Sequence, residues 1–248
     1  MIEGCAPVSW DQVPASRFAS SLRVDPEGCE IGLIGIPDDT GVSLNNGRPG
    51  ARSGPDAFRR ALARYGALGA PIEWPIVCDC GDVVPGRDIH ETHDRVTAVT
   101  NRMLDLGLFP VAIGGGHDLT FPFIRAVAGR FAMLSGVYLD AHLDVRAEVG
   151  SGMPFRALVE RGAVRSLHVQ GLDRFSNTKE HLEWFQSRNG HVDDLDPDGD
   201  WPFEDLFMSV DLDVIDASMA PGVSAPNPCG WTVQRAEAYV ARAASHEG

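Results

Sequence analysis

The stretch "VYLDAHLDVR" (137–146) ends an apolar run with Asp140, His142 and Asp144 at every second position. Side chains two apart on an extended chain share a face. The three can therefore converge, provided the strand reaches that far. "SVDLDVID" repeats the pattern with Asp211 and Asp213, and His117 follows the glycines of "IGGGHDLT". A lone D-x-D or H-x-D after a strand ordinarily caps a turn. Three such clusters at corresponding strand ends call for another explanation. Burying four carboxylates together without cations is severely unfavourable. Two divalent cations would balance them, and mixed carboxylate and imidazole donors suit manganese, with zinc, cobalt, nickel and iron as competitors.

The elements that must hold these residues alternate along the chain. Strands are expected at 30–36, 75–82, 109–116, 136–142, 165–172 and 205–213. Helices are expected at 53–66, 90–107, from Asp118, and at 153–162, 178–190 and 232–244. Ser53 is a cap candidate with Pro55 in the first turn, and Gly107 ends the second helix. Alternation of this kind predicts an α/β fold with a mostly parallel sheet covered on both faces. Ligands bind beyond the carboxyl ends of such strands, where "DAHLD" and "DLD" fall. The acidic, turn-rich segment 191–205 reads as a solvated loop. His90, His93, His168 and His181 read as surface or structural residues, and Asp216 as a turn cap or a brace behind the metal ligands.

Composition narrows the partners. With 248 residues, 44% of them hydrophobic, and no Pro/Ser-rich linker, one domain over 1–248 is expected, preceded by an extension over 1–29. Acids outnumber bases 35 to 21, for a net charge of −14, which disfavours nucleic acid. No apolar run approaches the ~20 residues of a membrane span, and the N-terminus lacks a signal-peptide layout. The five cysteines, C-x-C at Cys78 and Cys80 included, read as reduced thiols of a cytoplasmic protein.

"GGGHDLT", "LDAHLDVR" and "SVDLDVIDASMAPGVSAPNPCGWT" resemble, in order and spacing, the signature segments of the ureohydrolase superfamily. That superfamily includes arginase, agmatinase and formimidoylglutamase. The likeness covers about residues 30–248 and implies a three-layer α/β/α fold and a binuclear manganese centre. It implies that His117 ligates one ion and His142 the other. Asp140, Asp144 and Asp211 would be shared or bridging, and Asp213 would complete the second ion's shell. Asp144 and His142 would then stand at the reacting centre.

Within the superfamily, Arg146 in "DAHLDVR", "SGMPFR" (151–156) and "RFSNT" (174–178) resemble the formimidoylglutamase branch. That branch cleaves N-formimidoyl-L-glutamate to L-glutamate and formamide in histidine degradation. Chemistry agrees, because a guanidinium forks onto the carboxylates of a dianionic amidine. Arg146, Ser151, Arg156 and Asn177 are thus the substrate-binding candidates, although Arg146 and Arg156 could instead form surface ion pairs. A cationic substrate such as agmatine would be repelled by Arg146.

Two departures matter. Ser151 stands where arginases carry a proton-shuttling histidine. The superfamily also continues into a further strand with an acidic residue that binds the amidine, whereas this sequence ends at "AASHEG" and Glu237 is no match. The expected fold therefore lacks its C-terminal edge. Three readings remain open: a formimidoylglutamase, an agmatinase- or arginase-type guanidino hydrolase, and a truncated, non-catalytic metal-binding homologue. Assembly into a homo-oligomer is also open.

Overall fold

The computed structural model describes residues 2–66, 74–202 and 205–246. Residues 203–204 of the expected acidic loop and 247–248 of the tail lie outside them. The chain divides into two compact units, Met1–Gly41 with Pro49–Val127, and Val42–Arg48 with Ala128–Gly248. Among the described residues no helix is long and apolar enough to cross a membrane.

The first unit contains β1 (Cys5–Ala6), β2 (Ile31–Gly35), α2 (Gly54–Leu62), β3 (Val77–Val83), α3 (Ile89–Asp105), β4 (Phe109–Ile113) and α4 (Thr120–Ala128); α1 (Thr40–Leu44) runs from it into the second. Its sheet has the order β1-β3-β2-β4, parallel except where β1 pairs with β3. The expected N-terminal extension thus supplies an edge strand. Ile34, Ile36, Cys78, Cys80, Val96, Val99 and Met103 form its core. Asp88 caps α3 by accepting from the Glu91 amide, and Gly107 closes it at φ +74°, as expected of a left-handed stop. Ser53 occupies the cap position of α2, but its side chain makes no cap hydrogen bond.

The second unit contains β5 (Leu134–Leu139), α5 (Pro154–Glu160), β6 (Ser166–Gln170), α6 (Lys179–Gln186), β7 (Gly190–Val192), β8 (Asp205–Val210) and α7 (Val233–Ala244). Its sheet has the order β7-β6-β5-β8 and every pairing is parallel. All six residues of β5 are buried, as a central parallel strand requires. Gly136 is needed there, since a Cβ would sit 2.4 Å from the Phe207 ring. Tyr138 stacks on Phe155 at 3.7 Å and meets Phe185 edge-on.

Two expectations fail in this unit. The segment 191–205 is not simply a solvated loop. His191 and Val192 lie on β7, and Trp201 is buried against Tyr239. The strand expected over 136–142 stops at Leu139, and that over 205–213 stops at Val210.

Tyr138 couples this core to the chain beyond β5, because its buried hydroxyl donates to the Leu143 carbonyl at 3.0 Å. Tyr138→Phe leaves the ring packing and removes that donor. A loss of about 1–2 kcal/mol is expected, because the buried carbonyl is left without that donor. Urea unfolding checks it, and an unchanged midpoint would show that the bond contributes nothing.

Candidate metal centre

Leu139 of β5 pairs with Val210 of β8, so Asp140 and Asp211 leave adjacent strands at the same end of the sheet. The Asp211 amide still donates to the Leu139 carbonyl at 2.9 Å, holding the two exits together. Beyond them the period-two pattern survives without a strand. Ala141, Leu143 and Val145 are each 1% exposed, while Asp140, His142 and Asp144 take the alternate positions. Asp144 achieves this with a left-handed backbone, φ +48°, a conformation that aspartate tolerates better than most residues.

Hydrogen bonds replace the missing ladder. The Asp140 carboxylate accepts from the His142 amide at 2.7 Å. Asp213 accepts from the Ala141 amide at 3.3 Å. Asn177 is the main fastener: its Oδ1 accepts from the Leu143 amide at 2.9 Å, and its Nδ2 donates to the Ala141 and Asp173 carbonyls at 2.8 and 2.7 Å. Both ends of its amide are spent on backbone. Asn177 is therefore a positioning residue for the loop, a role different from the substrate contact expected of it.

The side chains gather into two groups in this unit. One atom each of Asp140, His142 and Asp213 lie within 4.8 Å of one another, and so do oxygens of Asp140, Asp144 and Asp211. Asp140 belongs to both and is 0% exposed. The Nδ1 of His142 faces Asp213 at 3.0 Å and Asp140 at 3.4 Å. Asp211 also accepts from the Asp213 amide at 3.0 Å, opening a short 3-10 turn.

Electrostatics follow from crowding. Burial, then the neighbouring Asp144 carboxylate, push the Asp140 carboxyl well above its ordinary range. Burial works against the His142 imidazolium, but hydrogen bonds to Asp140 and Asp213 override it and raise the imidazole to about 11. Both shifts favour the protonated forms, which offset the excess negative charge of the four carboxylates.

Other expected residues fall differently. His117 opens a 3-10 turn after β4 in the first unit. The chain reaches it through Gly115, where a Cβ would strike the Asp38 carbonyl at 1.9 Å. Its neighbour Asp118 pairs with His93 at 2.9 Å, and both are buried, which overturns the surface reading of His93. Arg146 is exposed and donates to Asn45 Oδ1 at 2.9 Å, while Asn45 Nδ2 donates to Ser151 Oγ at 3.1 Å. Asn45 lies some hundred positions upstream and no sequence pattern marked it. Arg156 is engaged elsewhere, with Glu160 at 2.8 Å and over the Trp184 ring at 4.7 Å. Asp216 caps its own turn by accepting from Ser218.

Comparison with known proteins identifies the family. The arginase family model matches residues 29–247. The chain belongs to the arginase family. The family likeness of its three motif segments is borne out, and its fold class is the three-layer α/β/α arginase type. Among curated relatives, formimidoylglutamase of Nocardia farcinica is 36% identical over 242 residues, covering 89% of this chain and 75% of the relative. Formimidoylglutamase of Ralstonia nicotianae is 33% identical, covering 98% and 81%. The crystal structure of Trypanosoma cruzi formiminoglutamase with Mn2+ superposes with a TM-score of 0.78 at 28% identity, covering 87% and 80%.

Metal and protons compete for the same atoms, so metal uptake must release protons. At neutral pH at least one proton per chain is expected, from His142, with Asp140 adding to it below its own raised value. Apparent affinity should therefore climb with pH. In the metal-free protein the sign reverses: the His142 contacts add stability that is complete below the ordinary imidazole value of 6.5 and is lost as pH rises through about 11. Calorimetric metal titrations in buffers of different ionisation heat measure the release. Uptake without proton release would contradict the assignment of His142 as a ligand.

Proposed function

We propose that this chain is a manganese-dependent formimidoylglutamase that hydrolyses N-formimidoyl-L-glutamate to L-glutamate and formamide. The observation that carries the reading is the pair of ligand groups joined at the buried Asp140, in a chain 36% identical to a protein of that name. The donor set suits two hard-to-borderline divalent ions, since a carboxylate with no solvent exposure needs cationic partners. Asp140, His142 and Asp213 would hold one ion. Asp140, Asp144 and Asp211, with His117 assigned from the family likeness, would hold the other. Bound manganese supplies Lewis acidity and makes water acidic enough to attack near neutral pH.

The chain's own groups do the rest. Asp144, aimed by its left-handed backbone, takes the proton of the attacking water. It returns that proton to the glutamate nitrogen as the C–N bond breaks, a task for which the chain offers no histidine at Ser151. Asn177 and Tyr138 keep the 140–144 loop in register throughout. Arg146 is oriented by Asn45, which is in turn linked to Ser151, and spends only part of its five-donor fork on Asn45. The remaining N–H groups suit a substrate carboxylate. Arg156, paired with Glu160 and Trp184, has no part in this reading.

The test offers purified, manganese-loaded chain N-formimidoyl-L-glutamate, agmatine and arginine. Turnover of the first is expected. Preference for agmatine or arginine would favour a guanidino hydrolase, and no turnover of any would favour a non-catalytic homologue. Arg146→Ala should raise KM by about ten- to a hundredfold, the loss of a charge-assisted pair worth ~1.5–3 kcal/mol, with metal content unchanged. Arg146→Lys should recover only part, because an ammonium has no planar fork. An unchanged KM in Arg146→Ala would place substrate binding elsewhere.

A further inference from the structure

A second constellation of ligand-type side chains lies on the other edge of the β5 sheet. His168 of β6 and His191 of β7 are register partners, so their side chains share a face. Their rings stack at 4.4 Å and 5°. Asp194, two residues beyond β7, turns one oxygen to both: Oδ2 lies 2.8 Å from His168 Nδ1 and 3.6 Å from His191 Nδ1. The three donor atoms lie within 4.8 Å of one another.

The surrounding bonds fix which atoms face inward. Asn189 Nδ2 donates to the Arg165 carbonyl at 3.0 Å, which orients its Oδ1 toward His191 Nε2 at 3.3 Å. His191 therefore carries its proton on Nε2, and its Nδ1 lone pair confronts the Asp194 carboxylate. The two acceptors lie 3.6 Å apart, beyond hydrogen-bond range, and a cation between them would satisfy both. His168 Nε2 meets the Ser166 hydroxyl at 3.1 Å, and a hydroxyl either donates or accepts. His168 Nδ1 is hydrogen-bonded to Asp194 Oδ2 at 2.8 Å, and moving its proton to Nε2, toward Ser166, would turn Nδ1 into a ligand in place of that bond. The second Asp194 oxygen accepts from Gln170 Nε2 at 3.0 Å. Every ligand atom is backed by an outer hydrogen bond, the arrangement that orients metal-binding imidazoles and carboxylates.

We propose that His168, His191 and Asp194 form a separate site for a divalent transition metal of the zinc class. Zinc takes nitrogen and oxygen at ~2.0–2.2 Å in a tetrahedron, which spaces ligand atoms by roughly 3.4 Å. The observed separations of 2.8 and 3.6 Å bracket that spacing. His168 is fixed, with 6% of its side chain exposed, whereas His191 is 43% exposed and can tilt out of the stack to aim its lone pair. Two histidines and one carboxylate leave a fourth position for water. The donors differ from the carboxylate-rich centre around Asp140, so this site should favour zinc over manganese.

The test uses the full chain saturated with Mn2+, then dialysed to equilibrium against micromolar Zn2+. Manganese plus zinc is counted by mass spectrometry, so exchange at the Asp140 centre does not alter the total. The parent should hold about one more ion per chain than His191→Ala or Asp194→Asn. Cobalt(II) added in place of zinc should give visible absorption bands in the parent that vanish in His191→Ala. Circular dichroism verifies that both variants fold, which the exposure of His191 favours. Equal metal totals in parent and both folded variants, or identical cobalt spectra, would overturn the site, whatever the chain's activity on an amidine.

Discussion

The second unit is organised around a carboxylate that water cannot reach. Asp140 leaves the central strand of its sheet with no exposed surface, beside Asp144, Asp211 and Asp213. Desolvating one such charge costs several kcal/mol even after relaxation, and three carboxylate neighbours add repulsion. The fold can meet this only with protons or cations. The raised His142 imidazole and Asp140 carboxyl show the proton solution, and the two donor groups sharing Asp140 show the geometry for the cation solution.

Such a site would relax if its backbone were free, so much of the surrounding sequence is spent on holding it. The Tyr138 hydroxyl, the Asn177 amide and the Asp213 carboxylate each bind a main-chain group between residues 141 and 143. The buried row Ala141, Leu143 and Val145 anchors the opposite side of the loop. Side chains that a sequence motif groups as ligands are thus oriented by residues that the motif does not contain.

Much of this was legible in the sequence. D-x-H-x-D and D-x-D mark convergent ligands because the period-two pattern is written in residue types, whether or not a strand's hydrogen bonds accompany it. The strand ends were overestimated for the same reason: apolar alternation runs on to Val145, but the ladder ends at Leu139. Asn45 could not be read, because its link to Arg146 and Ser151 depends on tertiary placement of the segment 42–48. Helical spacing suggests a surface His93, because it does not reveal the Asp118 that receives it. The segment 191–205 looked solvated by composition, yet His191 has a cross-strand partner and Trp201 a place in the core. Arg156 shows the reverse case: an arginine suited to a substrate carboxylate is taken by Glu160 one helical turn away.

The most direct measurement is the metal content of parent, Asp213→Ala and Asp140→Ala proteins, each verified as folded by circular dichroism. If Asp140 is common to both groups, the parent should hold about two manganese ions per chain, Asp213→Ala about one and Asp140→Ala close to none. Retention of as much manganese by Asp140→Ala as by Asp213→Ala would contradict the shared carboxylate on which this account rests.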